Sequence, residues 1–238
     1  MAAVFMKAEW RKLIMANYPV DPATLLRFLP ARTELDFWEG ETYVSLVGFQ
    51  FRRARVRGLL IPFHTHFPEV NLRFYVRYKD GLQWKRGVVF IREIVPLPAV
   101  TFFANTLFHE RYITLPMRLA DSNDGVSLKL GYHWKYKGWW SHMMADAAPA
   151  PHPLKPGSQE EFITEHFWGY AHTGPDRTGE YEVAHPRWEI YHLNWYKIKC
   201  DFGRIYGGAF SGLIKQAPQS VFLAEGSPVD IYTKTYII

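Results

Sequence analysis

Between Phe67 and Tyr78 the chain reads FPEVNLRFYVRY, and apolar and polar residues take turns along it. Successive strand side chains point to opposite faces. Val70, Leu72, Phe74 and Val76 therefore share one face, and Glu69, Asn71, Arg73 and Tyr75 share the other. β texture of the same kind covers residues 34–38, 42–52 and 85–93, with Gly40, Gly58 and the Lys79-Asp80-Gly81 turn as separators. Further strands are predicted at 112–118 and 127–136, on either side of the Asn123-Asp124-Gly125 hairpin signal. More follow at 162–170, 180–185, 189–199, 220–225 and 229–236.

Three stretches depart from this texture. Residues 4–16 read as a helix, and Asp21 followed by Pro22 makes an N-cap and first position for a short helix through Phe28. In PLPAVTFFANTLFHE the apolar residues Val100, Phe103, Ala104, Leu107 and Phe108 keep helical spacing, with prolines at the tolerated start. Residues 146–157 carry four prolines and read as a surface loop. There is no internal repeat and no break in composition, so residues 1–238 are taken as a single domain. The predicted class is α+β, mainly β: an antiparallel barrel with a helical N-terminal segment and an internal helix, closed so that no strand edge is left open.

Composition narrows the function. With 48% hydrophobic residues the 238-residue chain can bury a sizeable core, and 17% aromatics can wall a cavity. A net charge of +5 is spread along the sequence. Its densest basic run, Arg52, Arg53, Arg55 and Arg57, reads as a solvated strand end, so no nucleic-acid partner is expected. The single cysteine, Cys200, allows no intramolecular disulfide and no cysteine-rich zinc site, which suits the reducing cytoplasm. MAAVFMKAEW lacks the apolar core of a secretion signal, and no stretch approaches the ~18 apolar residues of a spanning helix. No membrane association is expected. Glycine-rich phosphate loops, nucleotide fingerprints and serine elbows are missing, so no cofactor is expected either.

Several segments, taken in order, resemble one family: NYPVDPATLLRFLP, YVSLVGFQF, FPEVNLRFYVR, GVVFIREIVPLPAV, TEHFWGYAH, HPRW and SVFLAEGSPVDIY. They are similar to the DUF2071 (YqjF-like) family of uncharacterised bacterial proteins, which is grouped with the acetoacetate decarboxylase-like superfamily. The resemblance implies a barrel or cone of antiparallel strands with helices at rim and mouth, and it makes a homo-oligomer an expected state. Acetoacetate decarboxylases form a Schiff base through a lysine that follows the helix-containing segment. Here Tyr112 stands at about that place, and no lysine occurs between Lys85 and Lys129, so imine-forming decarboxylation is not expected. Glu69 resembles the glutamate that faces the decarboxylase pocket.

The residues themselves offer chemistry with a plainer account beside it. Glu69, Asn71 and Arg73 can orient a small polar ligand, with Arg73 gripping a carboxylate through a bidentate fork. Equally, they can form a structural ladder that buries Arg73 against an acid. Glu110, Arg111 and Tyr112 fall between the internal helix and the next strand. Glu110 there is a general acid or base if burial raises its pKa; otherwise the segment is a helix end with Arg111 at the negative pole. His64 and His66 have the spacing of a metal pair, with His109 or His133 as third ligand, but loop or core histidines account for them and no metal is expected. Tyr132, Trp134 and Tyr136, with Trp139 and Trp140, wall a pocket or fill a β core. Cys200 has no histidine partner in the sequence.

The functional expectation is a protein that binds a small carboxylate or carbonyl compound in a barrel cavity. Glu69 and Glu110 would move protons in lyase- or hydrolase-like chemistry, and Asn71, Arg73, Arg111 and Tyr112 would hold the ligand. The rival is a non-catalytic interaction or structural module whose barrel is packed solid.

Overall fold

The computed structural model describes residues 2–238. The chain opens with β1 (Val4–Val20), the short helix α1 (Pro22–Leu26), β2 (Thr33–Leu35), β3 (Thr42–Val56) and β4 (Leu59–Leu60). Next come β5 (Phe67–Asp80), β6 (Gln83–Val95), α2 (Pro98–Phe108), β7 (Tyr112–Thr114) and β8 (Met117–Asn123). β9 (Leu128–Tyr136), β10 (Trp139–Pro153), α3 (Gln159–Thr164), β11 (Trp168–Gly174) and β12 (Arg177–Ala184) follow. The last elements are β13 (Glu189–Lys199), α4 (Phe202–Tyr206), a 3-10 helix (Gly208–Lys215), β14 (Ser220–Tyr232) and β15 (Thr235–Ile237). The fold is mainly β.

Hydrogen-bonded neighbours run β12–β11–β6–β5–β3–β1–β14. β14 then pairs with β12 again, Val183 opposite Ile231 and Ala184 opposite Asp230, so the pairings make a circuit. The β6–β11 pair is parallel and the other pairs of the circuit are antiparallel. From β14 the sheet continues through β13, β10, β9 and β8, which lie over one side of the circuit. The Tyr132 hydroxyl on β9 donates to the Lys12 carbonyl on β1 at 2.6 Å. Gly48 on β3 makes room for that ring, since a Cβ there would lie 2.8 Å from Tyr132 Cδ2.

Two apolar cores result. Val47, Phe49, Tyr75, Val88 and Val183 pack within the circuit. Leu46, Leu72, Phe74, Tyr132 and Phe202 pack between the circuit and its outer layer. Both faces of β5 are thus buried, its apolar row outward against β9 and α4 and its polar row inward.

Several expectations need correction. Residues 4–16 are strand, because β1 pairs along nearly its whole length with β3 on one side and β14 on the other. A bulge at Lys12, whose φ is 57°, breaks the two-residue alternation of VFMKAEWRKLIMA, so no strand period shows in the sequence. The expected helical N-terminal segment reduces to α1, where Asp21 accepts from the Ala23 amide at 2.8 Å. The proline-rich stretch expected as a loop extends β10 to Pro153. Beyond Ala147, β10 pairs only with β13, and prolines are tolerated on such an edge. The start of the strand predicted at 162–170 is helix α3, capped by Ser158. The strand predicted at 112–118 divides into β7 and β8, while those predicted at 220–225 and 229–236 are largely joined in β14. The internal helix is present as α2.

Candidate functional site

A cavity of about 480 Å³ is lined by strands of the circuit together with α2. The inward row of β5 crosses its wall. Glu69 stands opposite Phe49, Asn71 opposite Val47 and Arg73 opposite Ser45 on β3. At one end of the row Phe67 stacks on Phe51, with ring centroids 4.7 Å apart. At the other end Tyr75 packs on His166 at 4.8 Å and on Phe162 at 5.5 Å, so α3 and the residues after it close the floor.

β6 contributes a residue that simple alternation hides. Arg73 pairs with Phe90 but Leu72 pairs with Arg92, so Ile91 is an extra residue. Such a bulge reverses the facing of everything beyond it. Val88 and Phe90 face the cavity before the bulge, and Glu93 faces it afterwards, directly opposite Asn71. The displaced Arg92 turns outward and donates to the Ile205 carbonyl.

The segment after α2 supplies the next two side chains. His109 ends the helix in the left-handed region, with φ 57°. Asn105 in the last turn holds the returning chain twice: its Oδ1 accepts from the Tyr112 amide at 2.7 Å, and its Nδ2 donates to the Tyr112 carbonyl at 3.0 Å. β7 then pairs in parallel with β6, Tyr112 beside Glu93. So fixed, the Tyr112 hydroxyl donates to Glu69 Oε2 at 3.0 Å, while Asn71 Nδ2 donates to Glu69 Oε1 at 2.9 Å. Glu110 accepts from the Tyr181 hydroxyl at 2.9 Å. Tyr181 crosses Gly169 on the neighbouring strand, where a Cβ would lie 2.2 Å from Tyr181 Cζ.

Three carboxyl groups therefore share one wall. Burial raises the Glu69 pKa to about 7, opposed by the Asn71 and Tyr112 hydrogen bonds and the Arg73 charge. Burial likewise raises Glu110 to about 7, opposed by Tyr181 and Lys234. Glu93 is pushed well above the carboxylate range by burial and then by Glu110 and Glu69. Burial also pushes the Tyr112 and Tyr181 phenols up, which keeps both as donors.

Arg73 is the exception in sign. It is 7% exposed and lines the cavity, and its Nε has no hydrogen-bond partner. Among the described residues no carboxylate comes within 4.0 Å of its nitrogens. Two more polar atoms on this wall lack partners, Asn71 Oδ1 and Glu93 Oε2. A buried guanidinium is ordinarily paired. This one faces a space.

The remaining candidates lie elsewhere. Arg111 is exposed, its guanidinium 5.7 Å from the Phe28 ring centre, and it does not line the cavity. Lys234, between β14 and β15, donates to the Phe108 carbonyl at 2.5 Å and adjoins His109, and burial lowers it to about 8. It does not line the cavity, and among the described residues no other lysine does. His64 sits at the mouth with Nδ1 on the Pro62 carbonyl, and His66 contacts Thr65. Among the described residues no group of three His, Cys, Asp or Glu is placed to hold a metal. Tyr132 and Trp134 are core. Cys200 is buried, which pushes its thiol up and away from nucleophilic use. Arg52 and Arg53 are tied to Asp121 and Glu9.

Glu93, Tyr181, Asn105 and His166 were missed in the sequence. His166 lines the cavity and meets Asp36 at 3.1 Å, with Arg86 on the same oxygen at 2.6 Å. Burial lowers His166 to about 4, so it is neutral. The Tyr112–Glu69 contact joins residues that the sequence had singled out separately.

Comparisons with known proteins agree with this architecture. The model of the family described as an uncharacterized conserved protein, DUF2071, matches residues 7–228. Uncharacterized protein YqjF of Bacillus subtilis is 32% identical over 122 residues, which is 51% of this chain and 49% of that protein. The match thus spans about half the length of that relative. An acetoacetate decarboxylase crystal structure from Legionella pneumophila superposes with a TM-score of 0.67 at 14% identity, covering 99% of this chain and 88% of that one. The enduracididine biosynthesis enzyme MppR, solved with pyruvate, gives 0.65 at 13% identity, covering 99% and 91%. At these identities the likeness is one of fold. No helix among the described residues is long and apolar enough to cross a membrane.

Proposed function

The chain belongs to the DUF2071 family, and on that footing we propose that it acts as one domain that binds a small carboxylate or carbonyl compound inside a strand barrel. The single observation that carries this reading is Arg73, a buried cation at the wall of a cavity with no acid of its own. A ligand carboxylate would complete it with a charge-assisted, bidentate contact. Pyruvate bound by MppR on a similar fold makes that ligand class a reasonable one.

Turnover, if the ligand reacts, rests on protons. Glu69 and Glu110, each raised to about 7, are poised to give or take one near neutral pH. Tyr112 holds Glu69 in place, and Arg73 would stabilise negative charge developing on the substrate. The reading assigns no step to an imine, in keeping with a cavity lining that holds no lysine among the described residues. A cytoplasmic setting belongs to the same reading.

The test is a thermal-shift screen of carboxylic acids, keto acids and their neutral analogues against the purified protein, because a ligand bound only by the native state raises its melting temperature. The Glu69→Ala, Arg73→Ala double variant is expected to fold and to lose every hit. Hits retained by that variant would remove these residues from the site.

A further inference from the structure

Resting on the reading above, the chemistry of the remaining cavity wall goes further and specifies the body of the ligand. The space of about 480 Å³ falls in the range of roughly 300–1,000 Å³ that holds drug-sized molecules, far more than a pyruvate-sized acid fills. Its polar groups are confined largely to β5, β6 and the segment after α2. The rest of the lining is largely hydrocarbon and aromatic: Phe49 and Phe51 on β3 beside the polar row, and Trp10 on β1, Val183 on β12 and Ile231 on β14 further round the circuit.

The two ends also differ. Arg73 lies toward the floor, next along the inward row to Tyr75, which packs on His166. Toward the mouth the lining becomes apolar, with Phe67 stacked on Phe51 and with Val100, Phe103 and Leu107 of α2 above them. α2 has no buried residue, although its apolar face turns to the cavity. Phe103 and Leu107 are 54% and 48% exposed, and Ile61 and Phe63 in the adjoining loop are exposed too. A helix whose apolar face covers a hollow gains its missing burial from whatever fills that hollow.

We infer that the natural ligand is an amphipathic carboxylic acid, its carboxylate seated on Arg73 near the floor and an apolar chain or aryl body running past Phe49 and Phe51 to the underside of α2. The head group must be anionic because the buried guanidinium on the cavity wall has no carboxylate within 4.0 Å among the described residues. The body must be apolar because, beside the polar row, the lining from Phe49, Phe51 and Trp10 to Val100, Phe103 and Leu107 is hydrocarbon and aromatic. Each methylene that follows this path leaves water for an apolar wall, and affinity rises accordingly by about threefold to fourfold per methylene.

The experiment is calorimetric titration of the full chain with butyrate, hexanoate, octanoate and decanoate below their micelle concentrations. Pyruvate, octanol and octylamine serve as controls. The expected result is affinity climbing along the acid series, with octanol and octylamine far weaker than octanoate. Arg73→Met, checked for folding by its melting curve, abolishes acid binding. Phe103→Ser, checked for folding in the same way, flattens the dependence on chain length, its loss growing from hexanoate to decanoate. If pyruvate binds as tightly as octanoate and still needs Arg73, the amphipathic inference is overturned and the small-acid reading stands. Acid binding that survives Arg73→Met, preference for octylamine, or no binding by any acid overturns both.

Discussion

Asn71 and Glu93 face each other across β5 and β6 because Ile91 is squeezed out of the pairing between them. Strict alternation from Val89 and Ile91 would send Glu93 outward into the apolar layer that those two occupy. One extra residue brings the carboxyl into the cavity wall instead. The cost of that placement is electrostatic, and it sets the first expectation.

A carboxyl whose folded pKa is raised binds more protons in the native than in the unfolded chain once pH exceeds about 4.5, so its contribution to stability falls as pH rises through that window. His166 and His185, both lowered to about 4, work the other way below about 6.5, where the unfolded chain takes up their protons. Comparing wild type with Glu93→Gln cancels the histidines. The two proteins should melt together near pH 4, and the glutamine variant should melt higher by several degrees near pH 8. A difference independent of pH would show that Glu93 is not held as described.

Arg73→Met should make the ligand-free protein more stable, by about 1–3 kcal/mol, since it replaces a buried charge that no carboxylate contacts with an apolar chain. In a protein of this size that is a rise of about 2–4 °C in melting temperature per kcal/mol. A binding cation is characteristically a burden to the empty fold. A destabilised Arg73→Met protein would argue that Arg73 is structural.

Gly169→Ala should cost about 1–3 kcal/mol, because the new methyl lands on the Tyr181 ring and the strand cannot yield. The same substitution in a Tyr181→Leu background should cost much less. Thermal or urea melts of the four proteins give the coupling directly. Additive effects would mean that the ring does not cross the glycine.

Asn105→Ala removes both bonds that fix the Tyr112 backbone, and should lower stability by about 1–2 kcal/mol. Ligand affinity should fall with it, as Tyr112 loses its aim at Glu69. Melting curves and titration with a confirmed ligand check the two effects separately.

Much of the site was legible because β5 has no irregularity between Phe67 and Arg73 against β3, so alternation alone put Glu69, Asn71 and Arg73 on one face. Glu93 was not legible, since a bulge leaves no mark in composition. Tyr181 and His166 come from distant strands and loops, and nothing local ties them to Glu110 or Asp36. Arg111 illustrates the opposite error: neighbours in sequence at a helix end splay apart, and it points to Phe28 while Tyr112 points inward. In the fold, β1 reads as helix because a bulge at Lys12 interrupts its alternation. Pro149, Pro151 and Pro153 suggested a loop where one side of β10 is simply unpaired.

The first long strand takes its two partners at very different moments. β3 is near in the chain, but β14 is so far along that Asn17 waits for Ser220. During synthesis on the ribosome, β1 therefore has an open flank until residues beyond Ser220 have emerged, with every hazard of sticking to other nascent chains. Closure over so long a loop is entropically slow. Refolding should be sluggish and improved by chaperones, and C-terminal truncations that remove β14 should be found in the insoluble fraction of the cell.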